Sequence, residues 1–173
     1  MIVSDISPVS RDKARDLYIR HQVLDRVILS GENGLNALRE MPEAVIISGL
    51  GGGVISEILN QDVPLYGARL ILSAHTQLPT LRDTIIKIGY RILSEHVVHA
   101  KARYYLVITA APGMQILSET ERLLGSSLTG TDSSSVKEYL SWQLSVARVW
   151  QGAAGERYRI EIQEMIDDEK SNG

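Results

Sequence analysis

The chain contains no cysteine. A disulfide framework and a thiolate metal site are therefore excluded, and a reducing compartment, the cytoplasm, is the expectation. Histidine is scarce as well. His21, His75, His96 and His99 are the whole set, and their spacing fits no ligand pattern, so no metal is expected. No run approaches the roughly 18 apolar residues of a membrane helix. The opening residues lack the charged, apolar and small-residue order of a signal peptide. Excess charge is nearly absent too: 18 Lys and Arg stand against 21 Asp and Glu, and the segment 156–170, with six acids and three bases, accounts for the whole difference. A chain so close to neutral does not bind polyanions indiscriminately. A local basic face is left open by Lys87, Arg91, Lys101 and Arg103, for which solvated surface is the ordinary alternative.

What is present is a soluble-type composition, 44% hydrophobic and 23% charged over 173 residues. That is one domain, or one domain with an appendage, long enough for a real core. The segment 1–5 reads as a short buried strand ending in an acid. Ser7-Pro8 supplies an N-cap and a first helical residue, after which Ala14, Leu17, Tyr18 and His21 fall on one helical face. A strand at 27–29 and a turn at Gly31-Glu-Asn-Gly34 lead into a short helix ending near Leu38. The β-branched run 44–48 then feeds a turn of four glycines (Gly49, Gly51, Gly52, Gly53), which opens directly into a helix bearing Ile55, Ile58 and Leu59. A strand running into glycines and then a helix N-terminus lets backbone approach a ligand closely, although a tight structural turn is the plain alternative. A strand at 69–73, a helix at 81–88 and two strands at 90–98 and 104–110 follow. Alternating strands and helices argue for a parallel, doubly wound sheet; the last two strands have no helix between them and should be antiparallel.

Beyond Pro112-Gly113 the character changes. A Ser/Thr/Gly-rich stretch at 126–135 reads as a loop. Leu140, Leu144 and Ala147, then Tyr158, Ile162 and Met165, share a four-three spacing on either side of Gly152-Ala-Ala-Gly155. That pattern describes an antiparallel helical hairpin, with Trp142 and Trp150 outside its seam and available to seat it on the rest.

Asp25-Arg26, Asn33-Gly34-Leu35, the Gly49-Leu-Gly-Gly-x-Val-Ile55 turn, Arg69-Leu-Ile-Leu72 and the closing strand pair occur in one order. That order resembles the TrmK-like tRNA adenine-N1 methyltransferases, which methylate adenine 22 of bacterial tRNA with S-adenosyl-L-methionine, and it covers nearly the whole chain. The resemblance implies an α/β, Rossmann-like methyltransferase domain at 1–113 and a C-terminal helical, coiled-coil hairpin at 114–173, with no metal or membrane. The chain departs from the family at Asn33 (usually Asp), Leu50 (Met), Ser73-Ala74-His75 (Gln-Pro-Asn) and Leu106 (Glu after Tyr). The family's first strand and its acidic cofactor loop should also precede Ile2. In this fold that strand lies between those at Ile2 and Val45, and without it two strand edges face each other. An unsatisfied buried amide costs about 1–3 kcal/mol, against roughly 5–15 kcal/mol of total stability. The chain is accordingly expected to be a fragment of a longer protein, to re-pair across the gap, or to complete its sheet by self-association or a partner's strand.

Under this resemblance, Asp5 and Ile6, Asn33 and Gly34, and Gly49, Gly51 and Gly52 are the candidate cofactor contacts. A carboxylate at a strand end accepts both ribose hydroxyls, and an amide can accept from and donate to adenine. Ser48, Gly49, His75 and Tyr105 are the candidates beside the reacting base. Adenine N1 is already nucleophilic, so the work there is positioning. Tyr104 or Tyr105 would stack on a base. Lys87, Arg91, Lys101, Arg103, Lys137 and Arg148 are the candidate tRNA contacts, provided they share a face. Two other readings stand beside this one. A binding or assembly module could keep the fold and lose the cofactor. A nicotinamide enzyme ranks last, because the turn departs from G-x-G-x-x-G and Asp62 comes too early for the ribose acid.

Overall fold

A computed structural model describes residues 1–100, 103–125, 133–148 and 152–171. Its strands and helices alternate as β1 (Ile2–Ser4), α1 (Pro8–Arg20), β2 (Ile28–Ser30), β3 (Ala44–Leu50), α2 (Gly52–Leu59), β4 (Arg69–Ala74) and α3 (Leu78–Lys87). They close with β5 (Tyr90–Ala100), β6 (Arg103–Pro112) and three helices, α4 (Glu119–Leu124), α5 (Ser133–Ala147) and α6 (Ala153–Ser171). β3 and β4 are parallel, while β6 lies antiparallel to both β4 and β5, giving the order β3-β4-β6-β5. β1 and β2 form a separate parallel pair. No helix among the described residues is long and apolar enough to cross a membrane.

The sheet is strongly two-sided. Leu70, Leu72 and Ala74 of β4 and Leu106, Ile108 and Ala110 of β6 are buried and pack into one core with Ile55, Leu81, Ile85 and Leu140. The alternate residues Ile71 and Ser73, and Tyr105, Val107 and Thr109, are only half-buried. Ile46, which registers with Ile71, is 69% exposed. A sheet with parallel strands normally has both faces covered. Here one face carries the helices, the other is partly open, and β3 has a free edge.

The N-terminal region departs from expectation for the same reason. Ser7 does cap α1, its hydroxyl accepting from the Ser10 amide at 3.3 Å, with Pro8 next in line. The face with Ala14, Leu17, Tyr18 and His21, however, is at most half-buried, at Ala14 and Tyr18, and α1 contains no buried residue. β1 is half-buried, not buried. Other differences are local. α3 starts at Leu78, since Pro79 suits the first turn of a helix, and the residues after Asn33 form a 3-10 turn at Gly34–Ala37. Ser133–Ser135 belong to α5 and not to the loop. The short α4, capped by a reciprocal Ser118–Glu121 box, is an additional element.

Of the expected hairpin seam, Leu140, Ala147, Tyr158 and Ile162 are buried, Leu144 is half-buried, the Met165 side chain lies outside the described residues, and Trp142 packs against the core. Trp150 lies outside the described residues. A buried ion pair holds α4 against α3 and the sheet. Arg82 of α3 donates from Nε to Glu95 Oε1 of β5 at 2.8 Å, and both side chains are fully buried. Arg82 Nη1 also donates to the carbonyls of Arg122 and Leu123, at 3.1 and 3.0 Å, satisfying the last turn of α4. Gly125, at φ +116°, lies so close that a Cβ there would meet Glu95 Oε2 at 2.5 Å. Removing one partner of such a pair strands the other charge, at a cost of about 3–5 kcal/mol. Arg82→Met and Glu95→Leu should each lower stability by that amount in urea unfolding and free α4 and the hairpin for proteolysis. The double variant should recover most of the loss.

Candidate functional site

The candidate residues stand at the carboxyl ends of the parallel strands β1, β2 and β3, the ends at which open α/β sheets bind their ligands. β1 ends at Asp5. Its Oδ1 accepts from the Ser7 amide at 2.8 Å, its carbonyl accepts from Arg11 Nη1 at 2.6 Å, and its amide donates to the Ser30 carbonyl of β2 at 3.2 Å. The second carboxylate oxygen has no partner among the described residues. Ile6 beside it is 70% exposed. β2 leads to Asn33, whose side chain is exposed and makes no capping bond. Gly34 follows in the left-handed region, at φ +57°. The Gln61 amide oxygen accepts from Leu35 N at 2.9 Å and Ser4 Oγ donates to Gly34 O at 3.2 Å, tying this turn to α2 and β1.

β3 ends in the glycine turn, and its glycines serve different ends. Gly49, at φ +78°, has nothing within 4 Å of where a Cβ would stand and faces open space beside the exposed Ser48. Gly51, Gly52 and Gly53 are instead pressed against the loop after β4. Gly52 N donates to Thr76 O at 2.8 Å and Gly53 N to Gln77 Oε1 at 3.1 Å. A Cβ on Gly52 would lie 2.5 and 2.6 Å from the Gln77 and Thr76 carbonyl oxygens. Gln77 itself holds a left-handed backbone, φ 54°, of the kind that surrounding structure must enforce. The loops after β3 and β4 are thus one unit. His75, inside that unit, meets Tyr105 of β6 edge to face, with ring centroids 5.1 Å apart.

Asp5 and Asn33 with Gly34 close the separate β1–β2 pair, whose turn meets the far end of α2 at Ile58 and Gln61, while Ser48 with Gly49 and His75 with Tyr105 share the carboxyl edge of β3 and β4. Gly51 and Gly52 belong to it through the chain's own packing. The basic candidates are divided. Lys87 and Arg91 lie at the opposite pole, where Arg91 registers with Ala111 at the far end of β6, whereas Arg103 starts β6 at the site edge. Lys137 and Arg148 are exposed on and just after α5, and Lys101 lies outside the described residues. Arg82, within the same basic stretch, is buried in its ion pair. Arg11, Gln61, Thr76 and Gln77 support the site without having stood out in the sequence. Only Pro79, marking a helix start just after Gln77, hinted that the loop there was constrained. A cavity of about 330 Å³ lined by Leu59, Tyr66, Tyr90 and Pro112 lies beside the end of α2, away from Gly49, His75 and Tyr105. No group of three or more His, Asp or Glu among the described residues could hold a metal ion.

Tyr104, next to Tyr105, turns to the other face. Its hydroxyl donates to Glu138 Oε2 of α5 at 2.8 Å, and this bond to a carboxylate raises the phenol above its usual range and keeps it a donor.

The donor set suits a nucleoside: a carboxylate oxygen at the end of one strand, an amide at the next, and a turn with open space at the third. The family model for a methyltransferase domain matches residues 1–108. The fold is shared with a Streptococcus pneumoniae protein bound to S-adenosyl-L-methionine (TM-score 0.72, 21% identity, 95% of this chain and 80% of that one). It is shared with M. capricolum TrmK bound to S-adenosyl-homocysteine (0.70, 23%, 99% and 79%) and with the B. subtilis m1A22 tRNA methyltransferase TrmK (0.69, 16%, 98% and 80%). No curated protein sequence matches the chain. Gly52→Ala should cost about 3 kcal/mol because its methyl meets backbone. Gly49→Ala should cost about 1 kcal/mol, from the left-handed backbone alone. Chemical denaturation of the two variants separates these values.

Proposed function

We propose, from the premise that the chain belongs to the methyltransferase-domain family, that it transfers a methyl group from S-adenosyl-L-methionine to N1 of adenine 22 in tRNA. The observation that carries this reading is the set of unengaged groups at the carboxyl ends of β1, β2 and β3, the Asp5 carboxylate, the Asn33 amide and the open Gly49 turn, in a fold shared with TrmK structures. S-adenosyl-L-methionine, when bound, supplies an electrophilic methyl group. Asp5 would take ribose hydroxyls on its remaining oxygen, while Ser7 and Arg11 keep its carboxylate and peptide in place. Asn33 would hold the adenine of the cofactor, as an amide that both accepts and donates.

Adenine N1 carries a lone pair and no proton, so no general base is required for attack. What the chain must provide is orientation and exclusion of water, which can contribute a large part of a rate enhancement. Ser48 and Gly49 offer a hydroxyl and peptide groups beside which no side chain intrudes. The His75–Tyr105 pair forms an aromatic wall next to them, suited to the face of a flipped base. Arg103, Lys137 and Arg148 are on hand for phosphates, whereas Lys87 and Arg91 at the far pole would reach tRNA only if it wrapped the domain. The reading takes 1–113 as the methyltransferase domain and 114–173 as a substrate-side helical hairpin, in a cytoplasmic setting. It includes a strand seated between β1 and β3, in support of which stand the divided sheet, the free β3 edge and the partly open sheet face.

With radiolabelled donor, the protein should label an unmodified tRNA transcript and leave a transcript with guanine at position 22 unlabelled. Asp5→Ala should raise KM for the donor about tenfold, the loss of one charged hydrogen bond, and leave KM for tRNA unchanged. A folded protein that labels neither transcript overturns the proposal.

A further inference from the structure

The β5–β6 ribbon is longer than the strand beside it. β4 stops at Ala74, opposite Leu106, but β5 and β6 continue pairing through Val98 with Tyr105, His99 with Tyr104 and Ala100 with Arg103. This extension projects at the carboxyl end of β4, the edge that carries Gly49 and His75. Successive residues of a strand point to opposite faces, so the ribbon presents one tyrosine on each side. Tyr105 meets His75. Tyr104 belongs to a second aromatic group on the other side.

That second group is graded in depth. Tyr139 of α5 is 3% exposed. Trp142 and Tyr104 are half-buried, with Tyr104 5.8 Å from Trp142 and 6.2 Å from Tyr139 between ring centroids. His99 is exposed and lies flat on Tyr104, with centroids 4.6 Å apart and planes 15° from parallel. Its ring nitrogens make no hydrogen bond among the described residues. The bond from Tyr104 to Glu138 fixes the ring beneath it. A planar ring held flat on a rigid support and open to solvent is the geometry on which unpaired nucleobases stack. Lys137 is exposed on α5 next to Glu138, so positive charge lies nearby for the backbone of a polyanion.

We propose that the solvent face of His99 is a stacking platform for a nucleobase of the substrate RNA that flanks the methylated adenine, separate from the contact of the target base with His75 and Tyr105. The inference rests on the reading of the substrate as tRNA and adds to it a second, sequence-tolerant contact. Its effect is on RNA affinity, with no part in holding the methyl donor.

The test uses His99→Ala and His99→Phe in the full chain, each checked by thermal melting, which should change little because His99 is exposed. RNA affinity is measured without methyl donor, using tRNA transcripts and versions carrying 2-aminopurine at the nucleotides flanking adenine 22. His99→Ala should weaken RNA binding about tenfold, the loss of one base–aromatic stack. The slope of affinity against salt should stay the same, because no phosphate contact is lost. The unmodified protein and His99→Phe should quench 2-aminopurine fluorescence, and His99→Ala should not. Where methyl transfer is measured, KM for tRNA should rise and KM for the donor should not. Unchanged RNA affinity in His99→Ala, a salt slope reduced by about one charge, quenching that survives the substitution, or no RNA binding by the unmodified protein would each overturn the proposal. Failure of methyl transfer with normal, His99-dependent RNA binding would instead count against the enzymatic reading alone.

Discussion

The buried pair of Arg82 and Glu95 is the interaction through which the two halves of this structure are related. Arg82 comes from α3, which covers the sheet, and Glu95 from β5, its edge strand. The carbonyls of Arg122 and Leu123 come from the helix that begins the C-terminal region. A buried guanidinium needs its charge met and its donors used; Nε and Nη1 of Arg82 are engaged, while Nη2 has no hydrogen-bond partner among the described residues. That requirement fixes α4 against α3, and Gly125 must lack a side chain to let the carboxylate approach. The direction in which the chain leaves α4 is set there. Glu138, Tyr139 and Trp142 of α5 support the aromatic end of the β5–β6 ribbon.

The candidate site depends on a second constraint of the same type. Gly52 and Gly53 are closed against Thr76 and Gln77 by two hydrogen bonds and by contact too tight for a β-carbon. The turn after β3 therefore cannot move without the loop after β4, which carries His75. Glycine in this turn has two physical meanings. Gly49 keeps space open toward solvent, and Gly52 lets two loops share one position. For a reaction whose demand is alignment of a nucleophile already competent to attack, rigidity of this kind is where the protein's contribution would reside.

Much of the fold was legible because it was written in local patterns. The β-branched run 44–48 before the glycines gave β3 and α2, Ser7-Pro8 gave the start of α1, and the four-three spacing of Leu140, Leu144 and Ala147 gave α5. The placement of Asp5, Asn33 and Gly49 at the carboxyl ends of their strands followed from strand order, although β1 and β2 stand apart from the main sheet. What could not be read depends on contacts between distant segments. Arg82 looked like one more surface cation, because nothing in its neighbourhood tells of Glu95 or of the Arg122 and Leu123 carbonyls. The basic residues 82–103 looked like one cluster, although a strand of this length carries Arg91 and Arg103 to opposite poles. α1 has the sequence of an amphipathic helix, yet burial depends on a neighbour, and among the described residues its apolar face is covered only as far as half-burial of Ala14 and Tyr18. Gln77 gave no sign, since its role lies in a strained backbone and one amide oxygen.

The central claim is that the carboxyl ends of β1, β2 and β3 form a nucleoside-binding surface for the methyl donor, and residue-resolved NMR during titration with S-adenosyl-homocysteine tests it most directly. The account predicts saturable shifts at Asp5, at Asn33 and Gly34 and at Ser48–Gly52, carried on to His75 and Gln77 through the joined loops. Shifts confined to the cavity around Leu59, Tyr66 and Pro112, or a cooperatively folded protein with no shifts, would contradict it.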